Sequence, residues 1–185
     1  QIASIELPEG YDMKWEGEKS ASNESMKYLF KYYPLAVILM IAILIALFKD
    51  YRKPAIIVLC LPLLFIGVIF GMMLSGKTFG FVAIVATLGL VGMLIKNGIV
   101  LMDEITLQIN AGKEPVDALM ESSASRFRPV MLASLTTILG MIPLLGDSLF
   151  GPAAVVIMGG LLVGTLITLL FIPVLYALFY RIRIK

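Results

Sequence analysis

The sequence contains no histidine, one cysteine and one tryptophan, and only 15% of its 185 residues are charged. Without histidine, the commonest metal ligand and the side chain that ordinarily changes charge near neutral pH are both missing. A lone Cys60, set inside an apolar run, excludes an internal disulfide framework. No nucleophile stands beside a base, no glycine loop is built to cradle phosphate, and no metal-ligand cluster is visible, so neither an enzyme nor a bound metal or cofactor is expected. The net charge of +2 comes with no nucleic-acid signal. Residues 1–25 are polar and acidic and lack the basic-then-apolar layout of a targeting sequence, so the chain reads as a section of a longer protein.

What the sequence does contain is hydrocarbon. Fifty-nine per cent of the residues are hydrophobic, and the mean hydropathy is +0.96. A soluble domain must cover its surface with polar groups and cannot be built from such a composition. Several apolar runs approach the ~20 residues that a helix needs to cross the ~30 Å core of a bilayer. The expected fold is therefore an all-α integral membrane bundle of five transmembrane helices, preceded by a short extramembrane segment at residues 1–25. The spans fall at about 29–48, 55–74, 79–102, 129–145 and 152–179, with a polar connection at 105–125. Tyr28, Tyr32 and Tyr33 anchor the first span at the interface. Gly112 is placed to cap the third helix, and Glu114-Pro115 opens a short amphipathic helix presenting Val116, Leu119 and Met120 to the membrane surface.

Lysine and arginine give the orientation, because short cytoplasmic loops carry the excess. Lys49, Arg52, Lys53, Lys113, Arg126, Arg128, Arg181, Arg183 and Lys185 fall on one side. The opposite loops hold only Lys77 beyond the polar N-terminal segment. Residues 1–25 are thus expected outside the cytoplasm and the C-terminus inside it.

Lys96 is the most informative residue. It sits seven residues, roughly 10 Å, inside the Asp103-Glu104 pair that ends its span. A lysine at a helix centre costs about 2.5 to 3.5 kcal/mol on insertion scales, so it normally faces a carboxylate or a wet cavity. The alternative is that Lys96 snorkels to the interface. Helical spacing brings Gly89, Gly92, Lys96 and Asp103 near one face, where the glycines would admit another helix close to the charge. Arg126 and Arg128 flank the fourth span as ordinary positive-inside anchors. Within that span Ser134 and Thr137 share a face, suited either to interhelical hydrogen bonds or to a water-lined proton path. Gly67-x-x-x-Gly71 and Gly160-x-x-x-Gly164 are small-residue patterns for close helix contact.

The run Gly89-Leu90-Val91-Gly92-Met93-Leu94-Ile95-Lys96-Asn97-Gly98-Ile99-Val100-Leu101-Met102-Asp103 resembles a helix of the resistance-nodulation-division (RND) exporters. Arg126-Phe127-Arg128-Pro129-Val130-Met131-Leu132-Ala133-Ser134-Leu135-Thr136-Thr137 resembles the helix that follows it. Gly159-Gly160 and Phe171-Ile172-Pro173-Val174 resemble the last one. Leu7-Pro8-x-Gly10 and Trp15-x-Gly17 resemble the exit from a periplasmic porter domain. Essentially the whole chain is covered.

The resemblance implies helices eight to twelve of a twelve-helix, trimeric proton antiporter of the bacterial inner membrane, driven by the proton gradient. The partners it implies are the N-terminal half of the same transporter with its aspartate pair, a periplasmic adaptor, an outer-membrane channel and the lipid bilayer. Lys96 matches the lysine that interacts with those aspartates, Arg126 an arginine on the proton route, and Asn97 and Asp103 polar positions beside it. The family's threonine falls at Ala133, which leaves Ser134 or Thr137 as substitutes. The Lys96-Asn97 pair favours the branch exporting drugs and other amphiphiles. A heavy-metal exporter, a protein-translocation auxiliary of the same architecture, and a structural scaffold in which Lys96 only satisfies packing are the alternatives.

Overall fold

The computed structural model describes residues 18–182, with side chains from residue 22. The porter-exit residues Leu7 to Trp15 and the basic pair Arg183 and Lys185 lie outside the described residues. Among the described residues every regular element is helical: α1 (Glu18–Phe48), α2 (Arg52–Ser75), α3 (Phe81–Asn110), α4 (Pro115–Met141), a 3-10 turn over Ile142–Gly146, and α5 (Gly151–Phe179). Five of these stretches are long and apolar enough to cross a membrane. A helix is the natural state there, because lipid offers no partner for an unpaired backbone N–H or C=O.

The chain divides into two compact units, residues 1–40 and 41–185. The described part of the first is a helical stretch whose aromatic side chains Tyr28, Tyr32 and Tyr33 are exposed. The second unit is the bundle proper, and α5 is its centre, packing along α2, α3 and α4. Buried side chains form two layers. Ile56, Cys60, Leu101, Met102, Ile105, Ile172 and Tyr176 fill the layer toward the C-terminal end of α5. Leu64, Val68, Ala83, Leu90, Leu94 and Val156 fill the other.

Glycine makes the closest contacts possible. A Cβ on Gly67 would lie 2.5 Å from the Gly159 carbonyl oxygen, and one on Gly159 would lie 2.7 Å from that of Gly67. Backbones meet directly at this α2–α5 crossing, as small residues permit where no water drives helices together. Gly160 and Gly164 serve α3 instead: Cβ atoms there would lie 2.2 Å from Leu90 Cδ2 and 2.7 Å from Leu94 Cδ1. The two leucines seat in the notches of α5 and set the rotation of α3. Gly89 and Gly92 differ, since among the described residues no atom beyond the local turn of α3 lies within 4 Å of a Cβ placed on either. The helix contact expected at these two is not made among the described residues.

Two element boundaries depart from the sequence pattern. The polar connection at 105–125 is not a loop with a separate surface helix. α3 continues to Asn110, Gly112 ends it in the left-handed conformation at φ +89°, and α4 begins at Pro115 and runs unbroken through Pro129. Proline costs one backbone hydrogen bond, whereas ending the helix would leave a whole turn unpaired, so the helix persists. Likewise, the polar residues from Glu18 to Ser25 are the first turns of α1, so the helix begins ahead of the apolar run of the first span.

Candidate functional site

The packing of α3 decides where its polar residues go. Leu90, Leu94, Ile95, Leu101, Met102 and Ile105 are buried on the side facing the bundle. Gly89, Gly92, Lys96 and Asp103 are exposed on the opposite face, with Asn97 half-buried at its edge. Near the middle of a 30-residue apolar helix, the Lys96 ammonium has no ion-pair partner among the described residues.

Arg126 is joined to α3 by a different carboxylate from the one that the spacing singles out. Its Nη2 donates to Glu104 Oε2, and the Gln108 side-chain amide donates to Glu104 Oε1 at 3.1 Å. Asp103 points away, exposed. The two acids are 100° apart on the helix, and only the α3–α4 packing selects between them. Arg126 Nε is buried without a partner among the described residues, as is Ser122 Oγ one helical turn earlier.

The hydroxyls of α4 separate onto two faces. Ser134 Oγ and Thr165 Oγ1 of α5 share a buried hydrogen bond at 2.9 Å, so Ser134 faces inward, away from the open side. Thr137 is half-buried and donates to its own helix at the Ala133 carbonyl, 2.9 Å away. Ala133 is exposed and shares a helical stripe with Arg126 and Thr137, at spacings of seven and four residues.

A second polar cluster, absent from the sequence-based candidates, closes the C-terminal end of the bundle. Lys53 is only 9% exposed. Its ammonium donates to Thr106 Oγ1 of α3 at 2.9 Å and lies 5.7 Å from the centre of the Phe48 ring. Asp50 accepts the Tyr180 hydroxyl proton and the Arg52 backbone N–H, the latter at 3.0 Å. Tyr180 stacks on Tyr176 with centroids 4.3 Å apart, and the Arg52 guanidinium sits 5.6 Å from the Tyr180 ring centre. Burial pushes the Asp50 carboxyl up, but the Tyr180 and Arg52 hydrogen bonds and the nearby Lys53 and Arg52 charges outweigh it and hold it below its ordinary value. Tyr180 is raised, by burial first and then by its bond to Asp50. The signal in the sequence was the Lys49–Lys53 stretch, which positive-inside counting absorbs as simple anchoring.

A bundle of membrane-spanning helices with glycine-seated packing and an intramembrane lysine on its open face has the character of one part of a multi-pass transporter. The chain belongs to the AcrB/AcrD/AcrF family, whose model matches residues 1–180. Its fold is similar to that of a heavy metal efflux pump solved in two crystal forms. One matches with a TM-score of 0.77 at 27% identity, covering 95% of this chain and 18% of the pump. The other matches with a TM-score of 0.73 at 26% identity, covering 96% and 18%. The chain therefore spans under a fifth of that pump's length.

Proposed function

We propose that this chain forms transmembrane helices eight to twelve of a proton-driven RND exporter of the bacterial inner membrane, with residues 1–25 periplasmic and the C-terminus cytoplasmic. The observation that carries this is Lys96: a charge on an open face at mid-helix is costly in hydrocarbon and is normally met by carboxylates or a wet cavity, which another part of the transporter would supply. The N-terminal half, with the aspartate pair that the family resemblance implies, fits that need. Gly89 and Gly92 leave room for such a helix beside the ammonium. Ionised carboxylates attract Lys96; at about 4 Å and an effective dielectric of about 20 the pair is worth about 4 kcal/mol, and protonation abolishes it. Proton uptake then releases α3, and the movement is passed to the periplasmic part where substrate is handled. Arg126, Asn97 and Asp103 line the route from this face to the C-terminal side. The working assembly is a homotrimer joined to an adaptor and an outer-membrane channel.

Two substrate classes are supported by different observations. The Lys96-Asn97 pair favours drugs and amphiphiles. The similarity to a heavy metal efflux pump favours metal ions. Efflux-deficient cells expressing the full-length transporter, or its Lys96→Met variant at matched membrane levels, separate them through ethidium accumulation and survival on copper and zinc salts. The expected outcome is a severalfold protection against one class that the variant abolishes. Equal protection by both proteins would remove Lys96 from the mechanism.

A further inference from the structure

Between the first half of α4 and the last turns of α5 lies a groove of about 800 Å³, in the range that holds a mid-sized organic ligand. Its walls are Val116, Leu119 and Met120 on one side and Pro173, Val174 and Ala177 on the other. Ser123 also lines it, but its hydroxyl is committed to the Leu119 carbonyl at 2.7 Å, so this wall asks nothing polar of an occupant. Met120 and Val174 are 70% and 65% exposed, which leaves the groove open on its outer side.

One charged side chain, Arg181, borders this apolar space. It takes the left-handed conformation at φ +52°, uncommon for a residue with a Cβ. The turn is held by two bonds that end α5, from the Ile182 N–H to the Ala177 carbonyl at 2.9 Å and from the Arg181 N–H to the Leu178 carbonyl at 3.3 Å. This reversal brings Ile182 back onto the groove as a further apolar wall and leaves Arg181 exposed at its mouth, with no ion-pair partner among the described residues. Arg181 stands where α5 ends, and the groove runs from it back along the apolar residues Ala177, Val174 and Leu170.

We propose that this groove binds one anionic phospholipid of the leaflet on the C-terminal side, with an acyl chain along Leu119 and Val174 and its phosphate on Arg181. The guanidinium offers a planar pair of donors that matches two phosphate oxygens. A zwitterionic lipid fits the groove equally well but carries no net charge for Arg181 to neutralise, so the site discriminates by headgroup. The transport mechanism is not involved, and the proposal stands or falls apart from Lys96.

The test uses the full-length transporter, reconstituted in vesicles of phosphatidylethanolamine with a minor share of phosphatidylglycerol, then extracted in mild detergent. Retained lipid is counted by mass spectrometry. The Arg181→Gln variant is expected to retain about fivefold less phosphatidylglycerol, the effect of one arginine at a membrane surface, with phosphatidylethanolamine unchanged. Ala177→Phe fills the groove and is expected to lose both lipids, while Lys49→Gln, which removes an exposed charge at the same end, retains wild-type amounts. Unchanged phosphatidylglycerol in Arg181→Gln would overturn the proposal, as would an equal loss in Lys49→Gln. So would cross-linking of Val174→Cys to another protein segment of the transporter.

Discussion

The seam between α2 and α5 and the outer face of α3 use the same residue type to opposite ends. Along the seam, Gly67 and Gly159 bring two backbones into direct contact and leave no space for a Cβ. On the outer face, Gly89 and Gly92 have open space around them and flank a lysine. The first pair completes a core; the second leaves room for something still to come. A glycine pattern in a sequence therefore marks a place where helices can approach, and which helix arrives is decided by the whole assembly.

The largest expected effect breaks the seam. Gly67→Leu in the full-length transporter puts a side chain against the Gly159 carbonyl and should cost about 1 to 3 kcal/mol or more. This would appear as loss of monodisperse protein on gel filtration and a clearly lower thermal midpoint. Gly92→Ala should leave the midpoint almost unchanged and act on transport instead. Equal destabilisation by both would erase the distinction between the two regions.

Next in size is the Glu104–Arg126 pair, whose side chains are 22% and 36% exposed. With that much exposure, a double-mutant cycle of Glu104→Gln and Arg126→Gln on thermal stability should give a coupling of up to about 1 kcal/mol. A cycle of Asp103→Asn with Arg126→Gln should give none. Smaller again is Ser134→Ala, expected to cost about 0.6 kcal/mol, the average for an interhelical hydrogen bond in a membrane. Transport should stay within about twofold. A collapse of transport at unchanged stability would return Ser134 to the proton route, against its inward orientation.

The smallest effect is the pH dependence of the Asp50–Tyr180 contact. The Asp50 carboxyl is lowered from its reference value of 3.8, so its contribution is present above that value and lost as pH falls through the lower folded-state value. Tyr180 is raised from 10.0, so its contribution holds below that value and is lost only as pH rises beyond it. Tyr180→Phe should therefore lower the thermal midpoint slightly and by a constant amount from about pH 5 to about pH 9. A difference that varied across this range would mean that another group carries the contact.

Much of this molecule was legible in the sequence because lipid imposes simple rules. Helix-length apolar runs between Lys49–Pro54, Ser75–Thr78 and Gly146–Ser148 leave little freedom in the number of spans. Lys96 stood out because a charge in hydrocarbon is costly. The joining of the 105–125 connection to its neighbours was not legible, since Pro129 reads as a helix start in isolation and is tolerated once the surrounding chain is helical. Glu104 was hidden by Asp103, because choosing between adjacent acids needs the rotation of α3. Leu90 and Leu94 fix that rotation by seating on Gly160 and Gly164, a contact between positions seventy residues apart. The Asp50–Tyr180 bond spans 130 positions and has no local signature.

The most direct test of the account is substrate-coupled proton movement. The full-length transporter is reconstituted in vesicles loaded with a pH-sensitive dye, and the wild type is compared with Lys96→Met when substrate is added. The account predicts that the wild type exchanges protons for substrate and that the variant, with an unchanged thermal midpoint, does not. Undiminished exchange in a correctly folded Lys96→Met protein would contradict it, and the lysine on the open face would then be a packing residue.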